Sequence, residues 1–241
     1  MFYFTALSIA GSDCSGGAGI QADIKTMSAL GVYAASVITY VTVQNTLGVE
    51  SLCPIDSYTI ERQIHAVMND IRPMAIKIGM MGNKDTVEAI VKSLSVYYHG
   101  NLVVDPVLVS TSGSVLLDND AIDIMCRRLL PMATVITPNI HEAEVLANMK
   151  IINKDDIKLA ARRILDYGCG AVLIKGGHIE GNNKCDILVE RKQNGYYEEH
   201  EYNSITVDSK NTHGTGCTLS SAIAAYLAQG MNLTHAVEEA K

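Results

Sequence analysis

Phe4-Thr5-Ala6-Leu7-Ser8-Ile9-Ala10 runs into Gly11-Ser12-Asp13-Cys14-Ser15-Gly16-Gly17-Ala18-Gly19, and a helical pattern over 19–30 follows at once. A short apolar run, a glycine-rich turn and a helix, in that order, begin an α/β layered domain. The alternation continues along the chain. Strand candidates at 4–10, 34–43, 74–79, 101–105, 133–137 and 170–175 are short and nearly all apolar, which predicts parallel strands buried on both faces. Helical patterns occupy 19–30, 57–70, 84–98, 119–129, 141–147 and 154–167. Asp56-Ser57 and Asn153 supply start signals, and Gly31, Gly100 and Gly168 stand where a left-handed residue ends a helix. The segment 184–207 breaks the rhythm. Its strands 185–190 and 196–202 are joined through Gln193-Asn194-Gly195, an Asn-Gly hairpin signal. The expected fold is α/β: a mostly parallel central sheet flanked by helices, with an antiparallel edge hairpin. No linker or repeat divides the chain, so a single domain over 1–241 is expected. The last helical pattern begins near Leu233 and is cut at Lys241, which predicts a C-terminal continuation.

Composition narrows the function. Of 241 residues, 48% are apolar and 19% charged, enough to build a sizeable core and too apolar for a disordered chain. Lys plus Arg number 19 against 26 Asp plus Glu, a net charge of −7, and no basic patch offsets it. A nucleic-acid partner is therefore not expected. Neither is a membrane, because no apolar run reaches the ~18 residues of a span. Met1-Phe2-Tyr3-Phe4 lacks the basic start of a signal peptide. The six cysteines form no CxxC pair, the nearest two being Cys169 and Cys185, 16 positions apart, which fits free thiols in a reducing cytoplasm. Small-molecule chemistry is the remaining class.

Two phosphate-binding patterns nearly fit the first glycine loop. Gly11 and Gly16 have P-loop spacing, but Gly17-Ala18 stands where Lys-Ser/Thr is required. Gly17-x-Gly19-x-x-Ala22 fits the dinucleotide fingerprint, yet no acid lies between Asp23 and Glu50 to hold a ribose. The loop reads either as backbone that approaches a ligand closely or as a tight strand-to-helix turn. The second glycine loop, Asn211-Thr212-His213-Gly214-Thr215-Gly216-Cys217, opens a helix of small residues. Unpaired N–H groups and the helix dipole make such a start an anion site. Cys217 falls in the first turn, where a thiol pKa is expected to be lowered. The competing reading is a glycine turn with a buried structural cysteine.

Further polar residues close predicted strands, at the edge where open α/β sheets bind ligands. Asp105-Pro106 follows Leu102-Val103-Val104, and Lys175-Gly176-Gly177-His178 follows Ala171-Val172-Leu173-Ile174. Thr137-Pro138-Asn139 closes 133–137, and Asn139 with Glu142 has the N-cap and N3 spacing of a capping pair. His141-Glu142 is no zinc helix, since Val145 replaces the second His. An anion hole, a lysine and two carboxylates at one sheet edge are the parts phosphoryl transfer needs.

The chain resembles the hydroxymethylpyrimidine and hydroxymethylpyrimidine-phosphate kinases of thiamin biosynthesis, in the ribokinase-like superfamily. The resemblance rests on Ile9-Ala10-Gly11-Ser12-Asp13, the run Ser15 to Asp23, Leu30-Gly31-Val32-Tyr33, Val43-Gln44-Asn45-Thr46, Lys77-Ile78-Gly79-Met80 and Asp105-Pro106-Val107. It continues through Thr137-Pro138-Asn139, Glu142-Ala143-Glu144, Lys175-Gly176-Gly177-His178 and the loop from Thr212 to Cys217. It implies a three-layer ribokinase-like domain, ATP and Mg²⁺ as cofactors, a cytoplasmic homodimer, and a pyrimidine substrate phosphorylated once and then again. Gln44 is implied to recognise the aminopyrimidine, its amide matching an amine beside a ring nitrogen. Gly11, Met80 and Val107 are implied to line the same pocket. Asp105 and Glu142 would organise Mg²⁺, Asn139 and Lys175 would contact ATP phosphates, and Gly214, Thr215 and Gly216 would form the anion hole. Cys217 stands where sugar kinases of the superfamily carry an Asp base, as in the pyrimidine kinases. His141 departs from the family's usual Pro, and relatives run on past Lys241. A pyridoxal or pyridoxine kinase is the alternative reading, and a non-catalytic sensor on a kinase fold is a third, disfavoured by the intact Asp105, Glu142, Lys175 and Cys217.

Overall fold

A computed structural model of the chain describes residues 3–45, 48–97, 100–109, 115–176, 183–192, 195–205 and 213–241. Nine strands form one sheet: β1 (Thr5–Asp13), β2 (Tyr33–Asn45), β3 (Gly48–Pro54), β4 (Ala75–Ile78), β5 (Asn101–Val104), β6 (Val135–Ile136), β7 (Ala171–Ile174), β8 (Asn183–Arg191) and β9 (Tyr197–Ile205). Their order is β3-β2-β1-β4-β5-β6-β7-β8-β9. The run from β2 to β7 is parallel, and both edges are antiparallel. The chain steps from β1 to one side for β2 and to the other for β4. Their carboxyl ends therefore flank a topological switch point, where open α/β sheets form a ligand crevice.

Alternation along the strands divides the core in two. Leu7, Ile9, Ile76, Ile78, Leu102 and Val104 pack with α2 (Ser57–Asp70), α3 (Lys84–Tyr97), α4 (Asn119–Ile124), α5 (Ile140–Ala147) and α6 (Lys154–Leu165). Ala6, Ala75, Val103, Val135 and Leu173 pack with α1 (Gly19–Ala29), α7 (Thr215–Ala228) and α8 (Leu233–Ala240). Four-residue strands buried along their whole length, β4 and β7 among them, bear out the parallel-sheet expectation. The Asp56 side chain caps α2 from 2.9 Å, and Asn153 forms a capping box with Asp156 on α6. No helix among the described residues is long and apolar enough to cross a membrane.

Several boundaries differ from the sequence expectation. Strand β3 was not expected: no residue of Val49-Glu50-Ser51-Leu52 is buried, so the segment carries no buried period. It forms only because β2 continues past its buried part to Asn45 and offers an edge, with a register shift between Val43 and Gln44. The helix expected over 119–129 ends at Ile124, continues as a π turn over Met125–Leu129 and tightens to a 3₁₀ turn at Pro131, which cannot donate a helical bond. The second hairpin is present, with β8 and β9 longer than expected, while Gln193 and Asn194 lie outside the described residues.

A charged pair sits inside this core. Lys77, in the middle of β4, is fully buried, and its ammonium lies 2.8 Å from both Asp23 carboxylate oxygens on α1. Ser8 of β1 and Ser221 of α7 donate to the same carboxylate at 2.5 and 2.7 Å. Removing one partner of a buried pair strands the other charge at a cost of about 3–5 kcal/mol. Lys77→Met is thus expected to lower the unfolding free energy by about that amount in urea titrations, and adding Asp23→Asn to recover part of it. A Lys77→Met protein as stable as the parent would show that the pair carries no such weight.

Candidate active site

The carboxyl edge of the sheet gathers all twelve residues singled out above. Asp105 follows β5 and is almost fully buried. It accepts from Lys175 at 3.0 Å and Thr137 Oγ1 at 3.1 Å through Oδ1, and from Ser220 Oγ at 3.3 Å through Oδ2. Gly216 abuts this pair: a Cβ there would lie 3.3 Å from the Lys175 ammonium and 3.6 Å from Asp105. Glycine lets the start of α7 come down onto the lysine. Asn139 and Lys175 are bridged backbone to backbone, bringing α5 to the same point. The capping pair is real: Asn139 Oδ1 accepts from the Glu142 N–H at 2.9 Å, and Glu142 Oε2 accepts from the Asn139 N–H at 2.8 Å. Capping uses the Asn139 oxygen and leaves the chemistry of its amide NH₂ for another acceptor.

A second cluster lies at the switch point. Met80, Tyr40 and Leu116 pack together with Leu52 and Val107 against them. A Cβ on Gly11 would lie 3.1 Å from the Met80 sulfur, so Gly11 and Met80 share one wall. Gln44 closes β2 half-exposed nearby, its backbone carbonyl accepting from the Cys14 thiol at 3.2 Å and its side chain donating to Asp13. Gly214 begins α7 in the left-handed region at φ 81, and any Cβ there would run into the Gly17 carbonyl oxygen. The two glycine loops are therefore pressed together, backbone on backbone, between the clusters.

Charge at the site is set by burial and by the neighbours. Burial opposes ionisation of Asp105, but Lys175 and Lys77 outweigh it and hold the carboxyl below its usual range. Lys175 stays charged because Asp105 and Glu142 overcome its burial. Burial pushes Glu142 up to about 7, with Lys175 opposing and Asp105 adding to the rise. The expectation of a lowered Cys217 pKa is overturned. Burial pushes the thiol up; Lys77 and a Gly19 N–H pull the other way, while Asp23 and Asp105 add to the rise. A helix start lowers a thiol pKa only where the thiolate keeps some hydration, and here Asp23 and Asp105 lie close to it.

Two buried carboxylates that oppose each other's ionisation offer the hard oxygen donors Mg²⁺ takes, so Asp105 and Glu142 fit such an ion. The sequence reading missed Asp13, His213, Ser220 and the Lys77–Asp23 pair. Lys77 had a visible signal, a charge inside the apolar run Ala75-Ile76-Lys77-Ile78. Asp13 and His213 meet at 3.0 Å across 200 positions of sequence, which no local pattern marks.

The phosphomethylpyrimidine kinase family matches residues 13–241. The chain is 45% identical to a hydroxymethylpyrimidine/phosphomethylpyrimidine kinase of Rhizobium meliloti, over 98% of this chain and 87% of that one. It also matches a thiamine biosynthesis bifunctional protein of Geobacter sulfurreducens at 43% identity, spanning 47% of that longer protein. Among solved structures, phosphomethylpyrimidine kinase of Clostridium difficile superposes with a TM-score of 0.85 at 45% identity, covering 99% of this chain and 96% of that one. The ADP complex of Bacillus subtilis pyridoxal kinase gives 0.89 at 34% identity, covering 99% and 89%.

Glu142 makes stability depend on pH. Its carboxyl rises from 4.5 to about 7 on folding, so the folded chain holds an extra proton between those values. Its contribution is present below the lower value and is lost as pH rises through the higher one. Unfolding free energy is expected to fall by about 1–3 kcal/mol between about pH 5 and 8 from this group alone. Glu142→Gln, which keeps the N3 capping acceptor, should remove most of that slope in urea titrations. A Gln variant with the parental slope would mean that the carboxyl is already ionised at rest.

Proposed function

Since the chain belongs to the phosphomethylpyrimidine kinase family, the hydroxymethylpyrimidine/phosphomethylpyrimidine kinases of thiamine biosynthesis, we propose that it transfers the γ-phosphoryl group of ATP to 4-amino-5-hydroxymethyl-2-methylpyrimidine and then to the monophosphate, working as a single kinase domain and a cytoplasmic homodimer. The observation that carries this reading is the convergence of Lys175, Asp105 and the Gly216 backbone beside the apolar cluster of Tyr40, Met80 and Val107 at the switch point. The adenine nucleotide bound to the pyridoxal kinase relative supports ATP as donor.

In this reading Gln44 presents its amide to the exocyclic amine and ring nitrogen of the pyrimidine, and Gly11, Met80 and Val107 hold the ring and methyl. Cys217, in the fraction of molecules where it is the thiolate, takes the proton of the hydroxymethyl group as that oxygen forms its bond to the γ-phosphorus and the bond to the ADP oxygen breaks. The N–H groups of Gly214, Thr215, Gly216 and Cys217 donate to the phosphoryl oxygens at the start of α7, where the helix dipole favours negative charge. Lys175 and Asn139 hold the donor phosphates. Asp105 and Glu142 are the residues that would hold Mg²⁺, which supplies charge neutralisation for the phosphates when bound. In the second transfer the acceptor is an oxygen of the monophosphate.

Turnover with hydroxymethylpyrimidine, its monophosphate, pyridoxal and pyridoxine, each with ATP, tests the assignment; fastest turnover of a pyridine would replace it with the vitamin B6 reading. Gln44→Leu is expected to raise the pyrimidine KM about 10–100-fold, since a polar edge left unpaired in a pocket costs ~1–3 kcal/mol, with the KM for ATP near the parent's. Asp105→Asn should demand more Mg²⁺ for half-maximal rate, and an unchanged Mg²⁺ dependence would put the metal elsewhere. With the thiol pushed up, kcat/KM should keep rising with pH beyond the ordinary thiol range of ~8.5. Cys217→Ala and Cys217→Ser should both lose that limb and about 10²–10⁴-fold in rate. A Ser variant with near-parental rate and an unmoved profile would reduce Cys217 to a packing residue.

A further inference from the structure

Asp13 accepts more hydrogen bonds than any role assigned so far requires. Its Oδ1 accepts from the Ser15 N–H at 2.8 Å and the Ser15 hydroxyl at 2.7 Å. Its Oδ2 accepts from the N–H groups of Gly17 at 3.1 Å and Ala18 at 2.8 Å, and lies 3.0 Å from His213 Nε2. The Gln44 side chain also donates to it. The carboxylate is 2% exposed and closes the first glycine loop upon itself. An ionised carboxylate only accepts, so His213 must carry its proton on Nε2 and donate.

The partner residue is placed to matter. His213 immediately precedes Gly214, whose Cα rests against the Gly17 carbonyl, and a Cβ on Gly17 would lie 2.7 Å from His213 Cδ2. The Nε2–Cδ2 edge of the ring thus lies against the loop whose N–H groups share its acceptor. One side of the contact carries Gln44 and the apolar cluster of Tyr40 and Met80; the other carries Gly214 to Cys217. In the kinase reading, the separation of these two halves sets where an acceptor oxygen would meet a phosphoryl group.

We propose that Asp13 and His213 form a latch between the two glycine loops, and that they are positioning residues for phosphoryl transfer. Asp13 holds the first loop and orients the Gln44 amide by accepting from its NH₂, leaving the amide oxygen for the substrate amine. His213 ties the start of α7 to that loop, so the anion hole and the acceptor pocket keep one separation. A latch of this kind acts on kcat more than on ATP binding, because misplacement by ~1 Å between reacting groups costs up to about 10²-fold in rate.

This inference rests on the kinase reading, and steady-state kinetics with hydroxymethylpyrimidine and ATP separates the two. Parental turnover tests the reading; the ratio of each variant to the parent tests the latch. His213→Ala is expected to lose about 10–100-fold in kcat, with the KM for ATP within about threefold of the parent's. His213→Gln, which keeps a donor on a side chain of similar reach, should recover most of the rate. Asp13→Asn should lower kcat and also raise the pyrimidine KM, because its NH₂ faces the Gly17 and Ala18 donors and lets the Gln44 amide turn. Adding His213→Ala to Asp13→Asn should cost less than about threefold more, as coupled residues are not additive. Parental kcat in His213→Ala, full multiplication of the two losses, or a loss that His213→Gln fails to restore would each overturn the latch. Thermal melting of each variant identifies unfolding as a cause of lost rate, and the His213 pair decides the matter if Asp13→Asn does not fold.

Discussion

The buried Lys77–Asp23 pair is the constraint around which the rest of the molecule is arranged. A lone ammonium inside a sheet is not tolerated, and Lys77 keeps its charge only because Asp23 outweighs the effect of burial. The four groups in the network come from β1, β4, α1 and α7, so their relative positions are fixed by hydrogen-bond geometry as well as by apolar packing. Those elements bring in the two glycine loops, one entering α1 and the other opening α7. Apolar side chains alone would hold the layers together while permitting small slides. An ion pair with two hydroxyl donors permits few, and that precision passes directly to the loops.

The same pair balances charge at the site. Lys77 and Lys175 are held ionised, and Asp105 is held ionised between them. Burial pushes Glu142 and Cys217 toward their neutral forms. Two ammonium groups thus face the carboxylates of Asp23 and Asp105, and two further acids are pushed toward their protonated forms. In the proposed function, a polyanionic nucleotide entering the site would meet carboxyl groups that are either paired with an ammonium or pushed toward their neutral form. A divalent cation between Asp105 and Glu142 would release the Glu142 proton, which links metal binding to proton loss in the way expected for oxygen ligands.

The parallel sheet, its helices and the second hairpin were legible because each rests on local pattern. Ala171-Val172-Leu173-Ile174 can only be a buried strand at this length, and Asn153 with Asp156 can only begin a helix well. The placement of the candidate site residues at strand ends was legible for the same reason, since a polar residue closing an apolar run marks the sheet's edge. Strand β3 was not, because an exposed edge strand draws its structure from its neighbour and carries little period of its own. Asp13 and His213 were hidden more deeply. Their meeting depends on Gly17 and Gly214 allowing two loops to touch, which is a property of the fold.

Cys217 shows how far a local rule carries before tertiary context takes over. The helix start and Lys77 both favour a thiolate, but the positive charge of Lys77 is already committed to Asp23. What remains does not offset the loss of hydration, and the group stays a thiol. That outcome suits the proposed mechanism better than a standing thiolate would. In that mechanism a thiolate at the start of α7 would repel the phosphates and compete with them for the same N–H donors. A neutral thiol leaves them free, and the molecules that react are those in which the thiol has first lost its own proton. In those the thiolate accepts the proton of the acceptor oxygen while negative charge builds on the phosphoryl oxygens, close to the α7 N–H groups. The raised pKa thus confines ionised sulfur to the fraction of molecules about to react and leaves the resting site to the nucleotide.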